Sequence, residues 1–122
     1  MSNNIKCVKI TPDGNMSEIT NRYEDKDWKA MRGRDGYALH NPEAWGYKLT
    51  IYMLDCWDET DPFNKTASII YNTLYHGSIQ NERLRGTVFI MNEDAEKQID
   101  FTVQELNQIV LKTCMPKVLG TI

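Results

Sequence analysis

Little in this chain advertises chemistry. Its three cysteines, Cys7, Cys56 and Cys114, are far apart and form no CxxC pair, and its two histidines, His40 and His76, stand alone. Zinc sites need such ligands at close, repeated spacing, so the sequence predicts no metal centre. No apolar run nears the roughly 20 residues needed to span a bilayer, which excludes a transmembrane helix as an expectation. Nor is there a positive excess: 14 Lys and Arg face 17 Asp and Glu, for a net charge of −3. Backbone-driven binding to DNA or RNA relies on many cationic contacts, so nucleic acid is an unlikely partner. An odd cysteine count without a secretory leader predicts reduced thiols and an intracellular, non-secreted protein. No internal repeat, linker or low-complexity tract is visible.

What is present suits one globular domain spanning residues 1–122. At that length about two-thirds of the unfolded surface can be buried without a disulfide or metal staple. Apolar residues make up 41% of the chain and charged residues 25%, as in ordinary soluble domains. Ile5 to Ile10 alternates and is rich in β-branched residues, which predicts a strand. Thr11-Pro12-Asp13-Gly14-Asn15 reads as a turn, and Met16 to Thr20 as the returning arm of a hairpin. Glu24 to Met31 favours a short helix, with acids early, Lys29 late and Gly33 beyond its end. Tyr23, Trp28 and Met31 would form its docking stripe. Residues 32 to 46 contain three glycines and Pro42 and read as a long connecting loop.

Lys48 to Trp57 carries apolar residues on both alternating faces, the pattern of a central strand covered on both sides. Thr66 to His76 places Ala67, Ile70 and Leu74 on one stripe, with Gly77 as a C-cap. Helix is preferred there, although its Ile-Ile-Tyr centre would also suit a strand. Leu84 to Met91 predicts a second central strand, Asn92 to Lys97 a turn, and Gln98 to Asp100 a short pairing segment. Thr102 and Glu105 then form a capping box, with Phe101 and Leu106 as its hydrophobic staple. The helix that follows, Val103 to Lys112, is expected to stop before Pro116. The sum is a small α+β domain: a mainly antiparallel sheet with two or three helices packed on it.

Four constellations invite a functional reading. Asp55, Asp58, Glu59 and Asp61 lack the alternation and glycine of a calcium loop and read as a solvated strand end. Arg32-Gly33-Arg34-Asp35-Gly36 is Gly-rich and basic, and two guanidinium groups there could grip a phosphate or carboxylate. It has neither the spacing nor the trailing Lys-Ser/Thr of a P-loop. His40 and His76 have no recognisable nucleophile or carboxylate partner in sequence. Tyr37, Trp45, Tyr47 and Trp57 flank the long loop and central strand; exposed, they would make an interface, and buried, ordinary core.

Ile5-Lys6-Cys7-Val8-Lys9-Ile10-Thr11-Pro12-Asp13-Gly14 resembles the opening of small uncharacterised proteins of large double-stranded DNA viruses, algal giant viruses among them, and of tailed phages. Arg85-Gly86-Thr87-Val88-Phe89-Ile90, Asn92-Glu93-Asp94 and Asp100-Phe101-Thr102 resemble their closing strand, acidic turn and cap, and Cys56-Trp57 the end of their central strand. The resemblance covers about half the chain, and Pro62 to Ile79 departs from it. It implies a viral origin and a compact α+β fold but transfers no catalytic residue. The expected function is that of a non-enzymatic viral accessory or structural protein, acting in host cytoplasm, nucleus or virion by binding a host or viral protein. Its expected binding residues are Arg32, Arg34, Tyr37, His40, Trp45 and Tyr47; no catalytic residue, metal or cofactor is expected. An open sheet edge would also allow a homo-oligomer. The alternative is a nucleotide-binding or nucleotide-cleaving protein that uses the Arg32–Arg34 loop.

Overall fold

The computed structural model describes residues 5–33, 37–40, 43–44, 46–54, 58–74, 83–94 and 97–120. Among these residues, seven strands, β1 (Cys7–Ile10), β2 (Met16–Ile19), β3 (Tyr37–His40), β4 (Glu43–Ala44), β5 (Tyr47–Leu54), β6 (Val88–Asp94) and β7 (Lys97–Ile99), accompany three α-helices, α1 (Lys26–Arg32), α2 (Lys65–Leu74) and α3 (Val103–Gly120). Every strand pair is antiparallel, in the order β2-β1-β6-β5-β3, with β4 added to β5 and β7 to β6. The fold is therefore α+β, with helices on both faces of one antiparallel sheet.

Alternation along the central strands sorts the core into two layers. Val8, Ile10, Leu49, Ile51, Val88 and Ile90 point to one face, where they meet Ala67, Ile70 and Leu74 of α2 and Leu106 and Ile109 of α3. Cys7, Tyr52, Leu54, Phe89 and Met91 point to the other, where Trp28 and Met31 of α1 cover them. The apolar residues on both sides of the central strand thus have covers on both sides.

Asn64 joins the first layer together. It is wholly buried, and its Nδ2 donates to the carbonyls of Ile10 and Gly86, both at 2.9 Å, while Oδ1 accepts from Ala67 N at 3.0 Å. One side chain therefore caps α2 and ties it to the end of β1 and to the approach to β6. Ser68 Oγ donates to Asn64 O at 2.7 Å and accepts from Leu84 N at 2.8 Å, so these buried groups satisfy one another.

The capping box has the expected form. Glu105 N donates to Thr102 Oγ1 and Thr102 N to Glu105 Oε1, both at 3.1 Å. Phe101 and Leu106 are fully buried in the α2/α3 layer. A further donor of the first helical turn, Val103 N, is taken by Glu18 Oε2 of β2 at 3.0 Å.

Several expected boundaries change. The long loop over residues 32 to 46 contains β3 and β4, because β5 offers an unpaired backbone edge that even glycine-rich flanks can satisfy. Gly46, with φ of 87°, supplies the left-handed residue in the turn between β4 and β5. Residues 65 to 74 are helical, which settles the helix-or-strand alternative, and Gly77 and His76 lie outside the described residues. Leu84 to Thr87 precede the strand, since Leu84 N turns to Ser68 and Gly86 adopts a φ of 79°. Asn92 to Asp94 are strand, not turn, because they pair with Ile99 to Lys97. α3 runs through Pro116 to Gly120. Proline's fixed φ matches a helix, and a helix that continues through one forfeits the bond to the carbonyl four residues back and tolerates crowding there.

Candidate functional site

A cleft of about 500 Å3 opens at one end of the α1 layer, where β1, β5 and the approach to β6 meet. Its floor is Met31 of α1 and Leu54 of β5, both in the second core layer. Three short segments form the walls.

The first wall is the β1–β2 turn. Pro12 presets φ at the second turn position, and Gly14, with φ of 95°, takes the left-handed one. Gly14 N donates to Thr11 O and Thr11 N to Asn15 O, both at 3.0 Å. Asp13 accepts from Thr11 Oγ1 and, at 3.1 Å, from Asn15 N. The Thr11 hydroxyl and then the Asn15 amide hold its carboxyl below the usual carboxylate range.

The second wall is the outer face of α1, with Asp27 and Ala30. Asp25 caps this helix, its Oδ1 accepting from Asp27 N at 2.9 Å and Trp28 N at 3.1 Å. Lys9 projects from β1 between the two acids, 2.9 Å from Asp25 Oδ2 and 2.8 Å from Asp27 Oδ2. Burial opposes ionisation of Asp25, but hydrogen bonds from Lys9 and Trp28 N outweigh it and hold the carboxyl below its ordinary value. Burial likewise pulls against charged Lys9, and its bonds to Asp27 and Asp25 raise its pKa nonetheless.

The third wall is a two-sided clasp of Asp61-Pro62 and Gly86-Thr87. Gly86 N donates to Pro62 O at 2.8 Å and Asn64 N to Leu84 O at 2.9 Å, around a bridge between Phe63 and Arg85. Gly86 lies so close to the floor that a Cβ there would sit 2.9 Å from Leu54 Cδ1. Arg85 Nη1 donates to Asp61 O at 2.8 Å. Asp61 Oδ2 accepts from Asp58 N at 3.0 Å, and Asp58 Oδ1 from Thr60 N at 2.8 Å. These acids are engaged in shaping a turn, while Asp55 lies outside the described residues.

Arg22 lies in the 3-10 turn, Arg22–Glu24, that precedes α1. Its guanidinium carbon is 4.7 Å, 4.9 Å and 5.4 Å from the ring centres of Tyr23, Trp28 and Tyr52. Nη2 donates to Tyr23 Oη at 2.9 Å, whereas buried Nε has no hydrogen-bond acceptor. Three aromatic faces thus take the place of a carboxylate in holding this charge. Burial pushes the Cys7 thiol nearby up to about 11, so it remains protonated and inert near neutrality.

Of the six residues predicted to bind, Arg32, Tyr37, His40 and Tyr47 lie among the described residues, on α1, β3 and β5. Arg32 is the exposed last residue of α1. Tyr37 and His40 are the ends of β3, paired in register with Leu54 and Ile51. Tyr47 begins β5, seven positions from Leu54, which at strand spacing is about 23 Å away. Its hydroxyl donates to Glu105 Oε2 at 2.8 Å and its ring meets Phe101 edge-on at 5.7 Å, so Tyr47 supports the α3 cap. Arg34 and Trp45 lie outside the described residues, as do Cys56, Trp57 and the side chain of Cys114.

The cleft-forming set of Asp13, Asp27, Met31, Leu54 and Asp61 was not singled out from sequence as a site. The turn and the helix were each visible locally, but only their packing against a shared strand end makes a cleft. Among the described residues, no three His, Cys, Asp or Glu side chains form a metal-ligating group, and no helix is long and apolar enough to cross a membrane. No family model, curated protein or solved structure significantly matches the chain.

Proposed function

We propose that this is a non-enzymatic viral accessory or structural protein that acts by binding another protein, and that the cleft beside α1 is where it binds. The observation that carries the reading is a preformed cavity of about 500 Å3 whose apolar floor of Met31 and Leu54 is rimmed by Asp13, Asp27 and Asp61. An apolar floor with a few fixed polar groups is the usual make-up of a recognition pocket. The carboxylate rim would repel a nucleotide's phosphates, which favours a protein ligand over the nucleotide alternative. The viral assignment, and with it a location in an infected cell or virion, is supported by the resemblance of the two ends of the chain.

Ala30 is exposed on α1, so a bulky residue there fills the cleft without disturbing the core. Protein captured from infected-cell lysate by the wild type should be lost by Ala30→Trp and kept by Gln108→Trp, a matched change at an exposed position of α3. Equal capture by both variants would remove the cleft from the account.

A further inference from the structure

We infer that the cleft takes a cationic side chain, lysine or arginine, presented next to an apolar residue in an extended segment of the partner; this rests on the protein-binding reading above. The argument is charge complementarity around an apolar floor. Asp13, Asp27 and Asp61 line the cleft from three different walls, so the negative rim does not depend on one flexible loop. Among the described residues, Lys9 and Arg85 bond to these walls. Lys9 is shared between Asp25 and Asp27, and the Arg85 guanidinium is bonded to the Asp61 carbonyl. Among the described residues that line the cleft there are three carboxylates and no lysine or arginine.

The carboxylates are also held ready. Asp13 is fixed by Thr11 and Asn15, Asp27 by Lys9, and Asp61 by the Asp58 amide. The bonds of Asp13 and Asp27 do not exhaust their acceptor capacity, because an ionised carboxyl has about four lone-pair sites. A long basic side chain suits the cavity in shape as well. Its methylene stem can lie on Met31 and Leu54 while its head reaches the rim. The neighbouring apolar residue of the partner would contact Pro12 or Pro62 at the cleft mouth.

The test is a titration of the 15N-labelled full chain with three capped dipeptides, Ac-Leu-Arg-NH2, Ac-Leu-Gln-NH2 and Ac-Leu-Glu-NH2. The arginine peptide should shift the amides of Thr11, Ala30 and Thr87. It should bind about thirtyfold more tightly than the glutamine peptide, as two water-screened charge contacts of about 1 kcal/mol each would produce. That preference should shrink at 1 M salt, where the screening length falls to about 3 Å. The double variant Asp13→Asn, Asp61→Asn keeps at each position the oxygen that accepts the turn amide and should bind arginine and glutamine peptides alike.

Equal, salt-insensitive binding of the arginine and glutamine peptides by the wild type would overturn the cationic inference and leave the protein-binding reading standing. Shifts with none of the three peptides would overturn the inference. The protein-binding reading would then stand or fall on whether Ala30→Trp loses the captured partner.

Discussion

The two faces of the sheet are held by different physics. On the α2/α3 face, Val8, Ile10, Leu49, Ile51, Val88 and Ile90 meet two helices, and the polar groups that enter, Asn64 and Ser68, are fully engaged. On the α1 face, among the described residues, the seven-residue α1 supplies the apolar cover with Trp28 and Met31, and much of its attachment is electrostatic. Lys9 bridges two acids of the helix start, and Arg22 lies against three aromatic rings with one guanidinium nitrogen unbonded. Apolar burial resists changes of pH and salt, whereas ion pairs respond to both. The candidate cleft belongs to the second face. Elements that adjust to a ligand are drawn from the less stable parts of a fold, and α1, short and tied by ion pairs, is expected to be one.

The largest effect should come from breaking the apolar face. Phe101 is completely buried and packs beside Leu106 under the helix start. Phe101→Ala should lower the unfolding free energy in urea by about 3–5 kcal/mol, and a loss under 1 kcal/mol would mean that the layer repacks freely. A smaller and more local loss is expected from Lys9→Met, which leaves Asp25 and Asp27 without their cation. Stability should fall by about 1–3 kcal/mol, with the Trp28 environment changing in near-ultraviolet circular dichroism. Smallest is Thr102→Ala, which removes one half of the capping box. It should cost about 1 kcal/mol, as read by the shift of the denaturation midpoint, and leave α1 and the cleft untouched.

The faces also differed in how openly the sequence declared them. The α3 side was legible because its signals are local: Thr102, Glu105, Phe101 and Leu106 lie within six consecutive positions. α1 was visible as a helix, but its cap, Asp25, was hidden by the 3-10 turn at Arg22–Glu24 that precedes it. Asn64, the most connected polar residue of the other layer, gave no signal because its partners Ile10 and Gly86 are 54 and 22 positions away. β3 and β4 were read as loop because glycine and proline punctuation outweighed the demand of β5 for a partner. The cleft shows the same limit. Asp13, Asp27 and Asp61 are far apart in the chain, and nothing in their spacing says that β1, α1 and the Asp61 turn share one strand end.

Native-state hydrogen exchange as a function of pH tests the difference between the faces most directly. Asp25 is held ionised below its ordinary pKa, so its contribution is complete above the unfolded value of about 3.9 and disappears as pH falls through the lower folded value. Lys9 has a raised pKa, so its contribution is complete below the unfolded value of about 10.4 and is lost only as pH rises through the folded one. Acid should therefore loosen α1 through Asp25 while Lys9 stays charged. Relative to intrinsic exchange rates, protection at Lys29 to Met31 should fall away as pH drops below about 4, while protection at Leu106 to Ile109 persists. Loss of protection in both helices at the same pH and to the same extent would show that the two faces open as one unit, and would contradict the account.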